Sequence, residues 1–200
     1  VFEHLELLSP LRTRERMARG AWAQQVLPVL TAPAHRDRLW QSLTSGSGAQ
    51  SLFVAGLLAD CEPDSLPSIA EAALASRNPV FARWSLRMLQ ASAAPLPEAL
   101  LERALQARNA SVRAFALRWR IARAGEGLPA VLRRHLLDRY GSVRHVAAFH
   151  AHRIGIDPMA IWRDALDAAS SPLTGKHDGA PRHALSALCE RATAEDAARV

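Results

Sequence analysis

Residues 108–123, RNASVRAFALRWRIAR, set five arginines around Trp119, Phe115 and the aliphatic Val112, Leu117 and Ile121. Two readings compete: a basic, aromatic-laced patch that grips an acidic partner, or one helix of a repeated unit. Stepping from Phe115 in units of 31 separates them, because it reaches Trp22, Phe53, Trp84 and Val146, all large and apolar. The adjoining column, Ala23, Val54, Ser85, Ala116 and Ala147, is small throughout. Val26, Leu57, Met88 and Trp119 form a third column that ends on His150, and Leu43, Leu74, Leu105 and Leu136 form a fourth. Matched columns at one spacing are the signature of a repeat architecture.

The punctuation follows the same spacing. Leu66-Pro67, Leu96-Pro97 and Leu128-Pro129 open segments where proline suits a first helical turn, whose N–H groups have no partner within the helix. They predict first helices near 66–76, 96–107 and 128–138. Breaks containing Asn, Pro, Gly or Ser follow, and a second helix then carries the large and small columns. An earlier copy reads as helices near 33–44 and 49–60 around the loop SGSG (45–48). The last copy has a helix near 159–169, a longer insertion, SSPLTGKHDGAP, and a resumed helix at RHALSALCERA. The closing TAEDAARV reads as a capped helix start, the beginning of a further helix or a tail.

Helix pairs of this length cannot bury an apolar face alone, so stacking must supply the core. The fold expected is all-α, an α-solenoid forming a single array over 1–200. It holds about five to six repeats, near 1–31, 32–65, 66–95, 96–127, 128–158 and 159–192, with 193–200 outside them. At 49% apolar residues the chain can build a continuous core, and its wealth of Ala, Leu and Arg favours helix. Cys61 and Cys189 are too few for a disulfide framework, and no run spans a bilayer. A cytoplasmic location without a membrane span is the expectation.

Charge is unevenly spread. Residues 1–100 sum to zero, 101–156 carry 11 arginines against Glu102, Glu126 and Asp138 for a local +8, and the remainder sums to −2. A local basic footprint suits an acidic partner. Codon bias explains much of the ratio of 24 Arg to one Lys, and less of the clustering.

SVRAFALRWRIARAG (111–125) and SVRHVAAFHAHRIG (142–155) resemble the second helix of short HEAT-like repeats, the type also found in phycobilisome-lyase HEAT-like proteins. Val112-Arg113 and Val143-Arg144 carry the Val-Arg pair, with Pro181-Arg182 a weaker echo. Asp138 stands where that family often has a loop aspartate, while Ser76 and Ala107 depart from the pattern. The resemblance implies a right-handed solenoid, a scaffold whose second helices line a concave face, and structural roles for Arg113 and Arg144.

At about 100° per residue from Arg113, the residues Val112, Phe115, Ala116 and Trp119 share an arc of roughly 200–300°, which reads as buried. Trp119 is therefore core rather than a stacking platform, and Arg120 flanks the core with a snorkelling or ion-paired role. Arg118 falls at about 140°, on the free side, with Arg87 one repeat back and Phe149 one repeat on. Arg83, His145 and His152 share that side. These five are the candidate partner-binding residues.

No catalytic residue, metal site or cofactor is predicted. His145, His150 and His152 lack the three- or four-residue spacing that converges on a metal from one helix. LTGKHDG lacks the first glycine and the Ser/Thr of a phosphate-binding loop, and no nucleophile elbow occurs. His177-Asp178 is the weak remaining hint of acid–base chemistry. The expected function is a non-catalytic scaffold binding a protein or peptide partner. The alternative is nucleic-acid binding through 101–156, in the manner of glycosylase-like HEAT proteins.

Overall fold

The computed structural model describes residues 32–46, 48–76, 78–92, 97–125, 127–169 and 179–190. Among them every element is helical: ten α-helices and one short 3-10 turn, with no strand. The chain divides into two compact units, Val1–Leu96 and Pro97–Val200. Trp22, Ala23 and Val26 of the first copy, most of the insertion and the tail lie outside the described residues.

The first unit contains α1 (Pro33–Ser45), α2 (Gly48–Cys61), α3 (Leu66–Ala75) and α4 (Pro79–Ala91). α1 packs on α2 and α3 on α4, while α1 also meets α3 and α2 meets α4. First helices thus touch first helices and second touch second. The second unit contains α5 (Glu98–Leu105), α6 (Ala110–Ala122), α7 (Leu128–Leu136), α8 (Gly141–Arg153), α9 (Pro158–Ala169) and α10 (Ala180–Cys189). Its pairs are α5 with α6, α7 with α8 and α9 with α10, and again second meets second, α6 on α8, and first meets first, α7 on α9.

Local chemistry sets the boundaries. Asn78 caps α4 by accepting from the Val80 and Phe81 N–H groups, and Asn109 caps α6 by accepting from Ser111. Such caps satisfy amides that the helix itself leaves unpaired. Tyr140, 31 residues beyond Asn109, occupies the same position for α8 without a side-chain cap. Helix α5 starts one residue after Pro97, which adopts an extended ψ of 123° at the N-cap. At the end of α8, Gly155 has φ +76°, the Ile156 N–H donates to Ala151 O and the Gly155 N–H to His152 O. This paired return satisfies the last carbonyls, and buried Ile156 seals it.

The small column, Val54, Ser85, Ala116 and Ala147, is fully buried, as are Leu43, Leu105 and Leu136. Truncating a buried leucine of this kind to alanine costs about 2–5 kcal/mol. Two sequence readings need correction. Phe53, Trp84 and Phe115 are half-buried rather than core, and so is Leu74. On α6 the buried set is Val112, Arg113, Ala114, Ala116, Leu117 and Trp119. The buried arc is therefore wider than expected and rotated toward Arg113, because α6 is packed by both α5 and α8.

Candidate functional site

The rotation of that arc is explained by Arg113. Its Nε and Nη2 donate to the two oxygens of Asp138, each at 2.7 Å, and its Nη1 donates to the carbonyls of Ala107 and Arg108. The guanidinium is thus satisfied while almost fully buried, with side-chain exposure of 8% against 10% for Asp138. Arg144, one repeat on, places Nη1 on Asp138 O and Nη2 on Ser186 Oγ and Glu190. Both arginines join successive helix pairs, the structural role expected of them. Burial alone would raise the Asp138 pKa, but the Arg113 hydrogen bonds, the Tyr140 N–H and the charges of Arg113 and His135 hold it below its ordinary value. Arg120 pairs with Glu98 at 3.5 Å, matching the ion-paired reading. Trp119 is buried, 6% exposed, and its ring meets Phe115 edge-on at 6.3 Å.

The five candidate contact residues are all exposed. Arg83 and Arg87 lie four residues apart on α4 in the first unit; Arg118 on α6 and His145 and His152 on α8 belong to the second. His145 and His152 line one groove of about 590 Å³, together with Phe149 between them and Arg153, Trp162 and Arg163. Their spacing on α8 puts residues 145, 149 and 152 along one helix face. Arg118 lies close enough for its charge to be felt at His150, whose pKa is lowered first by burial, then by Arg153 and Arg118.

Phe149 stands one repeat beyond Arg118 but is absent from the five candidate contact residues. It is 55% exposed, and its ring meets the His150 imidazole edge-on at 5.0 Å. The Arg153 guanidinium lies 5.8 Å from the ring centroid. The floor is formed by Trp162, 2% exposed, whose Nε1 donates to Leu136 O at 2.8 Å. Asp157, a carboxylate on the groove's rim, accepts from the Met159 N–H at the start of α9, a favourable place for a negative charge. The groove therefore offers one presented phenyl ring, an indole floor, two imidazoles, two guanidiniums and one carboxylate.

No family model, curated protein or solved structure matches the chain.

Among the described residues no three His, Cys, Asp or Glu side chains gather to hold a metal ion, and no helix is long and apolar enough to cross a membrane. His177 and Asp178 lie outside the described residues. A second residue missed from the sequence is His135, 3% exposed, with Nδ1 2.8 Å from Val131 O and Nε2 3.4 Å from Leu105 O. It ties α7 to α5.

Proposed function

We propose that the chain is a HEAT-like α-solenoid acting as a non-catalytic binding module, and that the α8–α9 groove takes an acidic protein or peptide segment bearing a large apolar side chain. The observation that carries this reading is Phe149, a large aromatic presented to solvent above the Trp162 floor. Aromatic anchors in such settings dominate binding energy, whereas scattered exposed apolar residues do not. Arg153 and Arg163 on the same walls favour a partner of opposite charge, which gains encounter rate and register from them. Support for the repeat reading comes from the first-to-first and second-to-second helix contacts and from the recurrence of Asn78 and Asn109 as caps.

The reading is tested by selection from a random peptide library displayed against the full chain. Enrichment of Asp or Glu flanking Phe, Leu or Trp, lost with Phe149→Ala, supports it. Sequences without that pattern, or enrichment indifferent to Phe149→Ala, contradict it. Tight DNA binding that collapses with salt would transfer the chain to the nucleic-acid reading, since phosphate contacts release counterions.

A further inference from the structure

A second cavity, of about 530 Å³, lies within the Pro97–Val200 unit where the α5–α6 and α7–α8 loops meet the start of α10. Its walls carry Arg108, Arg134, Arg139 and His183. Among the described residues one carboxylate lines it, Asp138, and both of that residue's oxygens are already held by Arg113. The buried Arg113–Asp138 pair is therefore a neutral element of the wall, and three further guanidiniums face the cavity without a counter-charge among the described lining residues.

Those three are held in different ways. Arg139 is positioned: its Nη2 donates to Arg108 O at 3.2 Å, and its guanidinium lies 4.9 Å from the Tyr140 ring centroid. Arg108 and Arg134 are exposed, with no ion-pair partner among the described residues. Gathering like charges on one concave wall raises the local potential and concentrates anions there. Guanidinium forks match the oxygens of a phosphate in two-point hydrogen bonds, which a point charge does not. Leu137 and Ala180 add an apolar edge, and the volume falls within the roughly 300–1,000 Å³ of small-molecule sites. That is more room than a bare tetrahedral anion fills.

We infer that this cavity binds a phosphate monoester of a small organic molecule, the phosphate on Arg108, Arg134 and Arg139 and the organic group on the apolar edge. The site is separate from the α8–α9 groove and stands or falls independently of it. Calorimetric titration of the full chain with phenyl phosphate and with inorganic phosphate, at matched ionic strength, tests it. Phenyl phosphate should bind saturably at one site and more tightly than inorganic phosphate. The double variant Arg108→Ala/Arg134→Ala should weaken it at least about tenfold, as expected for losing charge-assisted hydrogen bonds. Arg134→Lys, which keeps charge but loses the fork, should fall between, and Phe149→Ala should bind like the parent. Equal affinity for inorganic phosphate would overturn the monoester assignment. No saturable binding, or binding indifferent to the double variant, would overturn the site. Binding of a short DNA duplex without binding of phenyl phosphate would overturn it in favour of a nucleic-acid surface.

Discussion

Arg113 holds Asp138 through two hydrogen bonds of 2.7 Å, joining helix α6 to the loop that follows α7, 25 residues away. Breaking a buried pair by removing one partner strands the other charge, at a cost of about 3–5 kcal/mol. Asp138→Ala should therefore lower the unfolding free energy by about that amount in urea denaturation. Adding Arg113→Met should recover part of the loss, because the stranded guanidinium is gone. Fully additive costs would show that the pair is not coupled.

Acid should destabilise the second unit in two steps. Asp138 and His150 both have folded pKa values below their ordinary 3.8 and 6.5. In each case the unfolded chain binds the proton more readily, so stability rises with pH across the interval between the two values. The His150 contribution is complete above pH 6.5 and is lost as pH falls through its lowered folded value. The Asp138 contribution is complete above 3.8 and is lost below that in the same way. Thermal midpoints followed downward in pH should fall in both intervals. His150→Leu should abolish the upper step and leave the lower.

Gly155 closes α8 in a left-handed conformation, and a Cβ there would meet nothing within 4 Å. The cost of Gly155→Ala is then backbone strain alone, about 1–2 kcal/mol. Denaturant titration showing no loss would mean that the α8 terminus adopts another conformation. Asn109→Ala should cost about 1 kcal/mol by removing the α6 cap.

Repeat spacing made the helices legible, and the burial of individual side chains less so. The boundaries of α3, α6 and α8 follow from proline, asparagine and glycine at recurring positions, since local backbone chemistry decides them. The half-burial of Phe115 does not follow, because it depends on how α5 and α8 share the surface of α6. His135 gave no signal: one and two repeats back the same position is Ala104 and Ala73, so its column reads as small and apolar. Phe149 stood out weakly as the apolar residue in Arg118's column, and its exposure is set by the groove around it. Asp138 was visible through the family pattern, yet its bidentate bond required the three-dimensional meeting of α6 with a later loop.

The most direct measurement is the affinity of an acidic peptide with a central phenylalanine for the α8–α9 groove, read by fluorescence anisotropy of a labelled peptide. The parent should bind it well ahead of a lysine-substituted counterpart, and both Phe149→Ala and Arg153→Glu should weaken binding at least about tenfold, the loss expected for an anchor residue. Equal affinity for the acidic and basic peptides, or binding unchanged by both substitutions, would contradict the account.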